Sequence, residues 1–173
     1  MKFVPRLLLI AALAGAPAGC AGEVPLSPEP SFYHSMALAN AELDSGAAAS
    51  MISGYRKNNG LPAVTLDPEL MKLAEAQSRA MARSDKLDHN VNGSFQDRLR
   101  KSGYPAKRGA ENIGAGYHTL AEAFSGWRDS TPHRANMLLK DATRMGIAAV
   151  YAPNSKYKVF WSLILAAPGE RRG

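Results

Sequence analysis

The chain has 173 residues, 46% hydrophobic and 21% charged, enough apolar material for one compact domain with extra length at its ends. Its formal charge of +6 is scattered along the sequence, with no run of basic residues interleaved with aromatics as a single-strand binder would want, which argues against nucleic acid as a partner and for weak attraction to anionic envelope polymers. A single cysteine excludes a disulfide within the chain.

Residues 1–20 read as an export signal: Lys2 and Arg6 make a positive start, and Leu7 to Ala14 make an apolar run too short to span a bilayer. Ala18-Gly19-Cys20 resembles the lipobox of bacterial lipoproteins, which implies lipidation at Cys20 and a membrane anchor in the cell envelope. Pro17 stands where an aliphatic residue is usual, and the alternative is ordinary cleavage after Ala18 or Ala21 and secretion. Residues 21–46, with Pro25, Pro28 and Pro30, read as a tether in which His34 is solvated.

The folded domain is expected over 47–167, followed by a tail at 168–173. Met51, Ile52 and Tyr55 share a helical stripe that Gly60 and Pro62 stop, and Val64 to Leu66 is a short extended piece. Asp67-Pro68 has the chemistry of a helix start, and Leu70, Leu73, Ala74, Gln77 and Met81 place a core face on the helix running to about Lys86. A short helix is expected over Phe95 to Lys101, and Ala110 to Gly116 reads as a tight glycine-rich stretch. Helices follow at Thr119–Trp127 and from Thr131 to about Leu139. Two strands, Met145–Tyr151 and Lys158–Ala166, close the chain around a turn at Ala152–Ser155. The second is apolar on both faces, as a central strand covered on both sides would be. The expected class is α+β, an antiparallel sheet between helical layers.

Candidate chemistry is sparse. His89 follows a core helix, and His133 lies in the first turn of another, where the helix dipole and Arg134 both favour a neutral ring. Glu111 stands among small and apolar residues, where a charge needs a partner. It either bonds backbone N–H groups of the glycine stretch or faces a cleft with the histidines. H-E-x-x-H, G-x-S-x-G and paired cysteines are missing, so the common zinc-protease, serine-hydrolase and structural-zinc signatures are not met.

Tyr55-Arg56-x-x-Asn59-Gly60-Leu61-Pro62, Asp88-His89, Glu111-Asn112-Ile113, Trp127-x-x-Ser130-x-x-His133-Arg134-x-Asn136-Met137-Leu138, Met145-Gly146-Ile147 and Phe160-Trp161 occur in an order and spacing that resemble the CAP superfamily. That group comprises the cysteine-rich secretory proteins, antigen 5 and pathogenesis-related proteins, and the likeness is to its bacterial SCP-domain branch. The resemblance implies a three-layer α-β-α sandwich with a small central antiparallel sheet. It also implies a surface cleft in which His89, Glu111 and His133 occupy the positions of family site residues. Ser130 falls where the family's second glutamate stands. With His89 and His133 as ligands, such a cleft would hold zinc or another divalent ion. Glu111 would then be a ligand or a candidate base. The implied roles are a binding module for a lipid, peptide or cell-wall ligand, a metal-assisted hydrolase of peptides or cell-wall material, or a purely structural polar cluster.

Overall fold

In the computed structural model, residues 29–169 are described; the export signal, Cys20, the first part of the tether and the last four residues lie outside that range. The elements are α1 (Ser45–Asn58), β1 (Thr65–Leu66), α2 (Pro68–Ser84), α3 (Phe95–Lys101), β2 (Ala106–Ala115), α4 (Leu120–Asp129), α5 (Thr131–Met137), β3 (Arg144–Tyr151) and β4 (Val159–Pro168). Helix starts follow local chemistry. Asp44, Asp67 and Ser94 accept backbone N–H groups at the mouths of α1, α2 and α3, and Thr119 with Glu122 forms a capping box on α4.

The sheet runs β1-β3-β4-β2. β4 lies antiparallel to both neighbours, with Ile164 opposite Gly146 on one side and Glu111 on the other. The two-residue β1 pairs parallel with β3, so the sheet is mixed and not wholly antiparallel as expected. β1 leads through α2 and α3 to β2 at the opposite edge of the sheet, and the chain reaches β3 beside β1 only after α4 and α5.

The doubly apolar β4 is central, as its sequence requires. Phe160, Ile164 and Ala166 meet the layer of α2 and α3, together with Leu70, Ala74, Met81 and Leu99. Trp161, Leu163 and Leu165 meet the layer of α1, α4 and α5, with Ile52, Ala123, Trp127 and Met137. Gly146 lets the α2 backbone cross β3 directly, since a Cβ there would run into the main chain of Leu70.

The glycine-rich stretch at Ala110–Gly116 is a correction: it belongs to the ten-residue strand β2. Its glycines are there for close approach. A Cβ on Gly109 would lie 3.0 Å from Leu99 and 3.2 Å from Phe95, and one on Gly114 3.2 Å from Tyr117. Only Gly116, at φ +87°, needs the left-handed region.

The described part of the tether is also corrected. Ser31–Tyr33 forms a 3-10 turn, Met36 is buried, its N–H donates to His118 O at 2.6 Å, and Phe32 and Leu43 pack on the core. Phe32, Met36, Ala37 and Leu43 supply the burial a free tether would lack, while Tyr33 and Leu38 stay exposed. His34 is exposed, its ring against Glu29 O at 3.1 Å.

Candidate functional site

The site is built on β2, the edge strand beside β4. Alternation sends Glu111 toward α2 and α3 and Asn112 toward α5. The free edge of β2 is closed by side chains: Trp127 Nε1 donates to Ile113 O at 3.1 Å and Asn136 Nδ2 to Glu111 O at 3.1 Å. Asn136 Nδ2 also donates to Asn112 Oδ1 at 2.9 Å, and Asn112 Nδ2 to His133 O at 2.9 Å, which ties α5 to the strand.

Glu111 is buried, its side chain 1% exposed, and Arg98 of α3 at 6% is its partner. Arg98 Nη2 donates to both carboxylate oxygens at 2.9 Å. His89 Nδ1 lies 2.8 Å from Oε2, and Ser162 Oγ lies 3.5 Å from Oε1. Glu111 thus contacts His89 directly and pairs with the buried Arg98. The His89 side chain is 47% exposed. Its backbone carbonyl is braced by Gln77 Nε2 and by Arg98 Nη2, each at 3.3 Å.

His133 comes from the opposite helical layer and is half-buried. Its Nδ1 lies 2.9 Å from Ser130 Oγ. Ser130 is the N-cap residue of α5, yet its hydroxyl caps no backbone N–H and is spent on the imidazole. The His133 ring sits below the ordinary histidine range, first because burial penalises the charged form and second because of the charge of His89. The neutral ring expected from the sequence stands, with a different cause from the helix dipole and Arg134.

Sequence reasoning missed Arg98 and Ser162, placed Gln77 only on the core face of α2, and gave no role to Asn112 and Asn136. Arg98 lies one position before Leu99 on a helix with Phe95 and Leu99 inside, so its place next to that stripe was the available signal. The isolation of Glu111 announced that its carboxylate had to find a partner.

The three-ligand metal set is not assembled. Among the described residues, no three His, Cys, Asp or Glu side chains come together in a way that would hold a metal ion. Both Glu111 oxygens accept from a guanidinium.

A three-layer domain with two imidazoles and a buried carboxylate at an edge strand, backed by a tryptophan, defines a bacterial SCP-type domain. The chain belongs to the CAP group, the cysteine-rich secretory protein family, whose model matches residues 49–165. It is 27% identical over 139 residues to the protein YkwD of Bacillus subtilis, covering 79% of this chain and 54% of the relative, so it spans about half of that protein's length. Among solved structures it is similar to an extracellular SCP-domain protein of Bacillus anthracis (TM-score 0.61, 23% identity, 70% of this chain and 39% of that one). It is also similar to an outer surface protein of Borrelia burgdorferi (TM-score 0.67, 17% identity, 75% and 96%).

Proposed function

We propose that this protein is an exported, non-enzymatic binding module of the bacterial cell envelope, with His89, His133 and Ser130 as its ligand contacts. The carrying observation is the state of Glu111. Its two oxygens are engaged by Arg98, with His89 on one of them, so this carboxylate is neither a free general base nor a spare metal ligand. Hydrolysis therefore loses its best base, and a divalent ion would keep two imidazoles only. The exposed ring of His89 and the Ser130–His133 pair remain as hydrogen-bonding groups for a polar ligand. The basic charge suits an anionic envelope polymer, with a cell-wall fragment or peptide as the class of ligand. The export signal and the lipobox-like Ala18-Gly19-Cys20 would place the domain in the envelope as a lipoprotein, with secretion as the alternative.

The binding experiment follows the ring resonances of His89 and His133 while muropeptides from a digested sacculus are added. Shifts at both rings, lost in His89→Ala without a fall in melting temperature, are expected. Rings that never move, or a response that survives loss of both histidines, would refute the reading. Zinc should leave the melting temperature of the wild-type chain unchanged, and a rise that depends on both histidines would restore the metal to the site. Mass spectrometry of the mature N-terminus tests the anchor: a diacylated or triacylated Cys20 is expected, and an unmodified terminus removes it.

A further inference from the structure

We infer that Arg98 is a positioning residue for His89: through Glu111 it fixes the imidazole with its proton on Nδ1 and its lone pair on Nε2, so that the site takes a hydrogen-bond donor from its ligand, a hydroxyl or an ammonium group. This rests on the reading that His89 faces a ligand.

One guanidinium makes every contact required. Its Nε donates to Gly93 O at 3.1 Å and its Nη2 to His89 O at 3.3 Å, so it grips both ends of the 89–93 loop. The same Nη2 donates to both oxygens of Glu111 at 2.9 Å. An arginine side chain only donates and stays protonated in proteins, so the carboxylate it holds can only accept. The atom facing Glu111 is His89 Nδ1, at 2.8 Å. A neutral imidazole carries one proton, and an acceptor at Nδ1 draws that proton there. Nε2 is then left with the lone pair, on a ring that is 47% exposed and has no other hydrogen bond among the described residues.

His133 supplies the contrast. Its Nδ1 meets the Ser130 hydroxyl, which can donate or accept, so that partner sets no tautomer. The fixed polarity of the site is therefore that of His89. Gln77 braces the same loop from α2, through Nε2 to Asp88 O at 3.0 Å and to His89 O. It does not touch Glu111, which leaves the ring's tautomer to the Arg98–Glu111 pair.

The test reads the tautomer without any ligand, so its failure is distinct from a failure of the binding reading. In the full chain, labelled with ¹⁵N in its histidine rings and kept at alkaline pH so that the imidazoles are neutral, long-range ¹H–¹⁵N spectra should show His89 Nδ1 as the protonated nitrogen and Nε2 as the imine type. An Nε2–H form in the wild type overturns the proposal outright. Arg98→Met should move the population toward Nε2–H, and a folded Met variant with the wild-type ratio removes Arg98 from the argument. Arg98→Lys, which keeps the charge but not the fork, should fall between the two. If the Met variant does not fold, a folded Lys variant indistinguishable from wild type overturns the role instead. Methylammonium and acetate at matched ionic strength read the ligand class. The first should move His89 Nε2 and the second should not; an equal or reversed response overturns the donor assignment.

Discussion

Glu111→Gln separates a catalytic carboxylate from a structural one, and its cost follows from the contacts. The substitution removes the charge while keeping the shape. If the new amide nitrogen takes the place of Oε2, it meets Arg98 Nη2 and His89 Nδ1; if it takes the place of Oε1, it meets Arg98 Nη2 again and Ser162 Oγ. In both arrangements an N–H faces a guanidinium N–H, and Arg98, only 6% exposed, loses its counter-ion. Removing one partner of a buried pair costs about 3–5 kcal/mol, because the other charge stays behind in a poor solvent. The His89 contact adds little, since that ring is half in water and exposed pairs contribute about 1 kcal/mol or less. The expected loss is therefore about 3 kcal/mol or more against a domain stability of about 5–15 kcal/mol. Urea titration followed by circular dichroism measures it as a fall in midpoint at constant slope. The companion measurement is the cycle with Arg98→Met. Once the charge is gone, removing Arg98 should cost clearly less than it does in the wild type, giving a coupling of about 1–3 kcal/mol. A Gln variant within about 0.5 kcal/mol of wild type, or a strictly additive cycle, would show that the pair is not closed in solution and would free Glu111 to act as a base.

Three further outcomes are expected. Arg56 is fully buried and donates to the carbonyls of Pro62, Met137, Leu139 and Ala142 at 2.7–2.9 Å. Leu139 O keeps the N–H of Ala142 and Pro62 is exposed, so Arg56→Ala orphans two buried carbonyls at about 1–3 kcal/mol each. A loss of about 2–6 kcal/mol in urea is expected, and a variant as stable as wild type would mean that other donors replace it. The depressed His133 pKa makes the unfolded chain take up a proton before the folded one as pH drops below about 6.5. Stability should therefore fall on acidification through that region until the folded ring titrates, and His133→Gln should remove that part of the slope; identical profiles would refute the assignment. Gly146→Ala should cost about 3 kcal/mol, because the methyl meets the α2 main chain at Leu70 and not a side chain that could turn away. A cost near zero would mean that α2 lifts off β3 easily.

What the sequence disclosed and what it concealed divide along a physical line. The helix starts were legible because each rests on a residue adjacent to its own N–H groups, as Asp67-Pro68 and Thr119 do. β4 was legible because burial on both faces erases alternation within the strand itself. β2 was hidden because its glycines carry information about Phe95, Leu99 and Tyr117, side chains outside the strand, and a glycine placed for close approach reads locally like a turn. The site follows the same division. The spacing that places His89, Glu111 and His133 in the family pattern is linear and could be read. Whether they bind a metal depends on Arg98, 13 residues before Glu111 and on another element. A carboxylate with a guanidinium across both oxygens is part of the scaffold, whereas the same carboxylate without it is a ligand or a base. Ser130 extends the point. Its hydroxyl gives His133 a neutral partner, so the two rings are held by different chemistry, one by a carboxylate and one by a hydroxyl. The different footing of the two rings is set by Arg98 and Ser130, residues whose contacts the spacing of the histidines does not reveal.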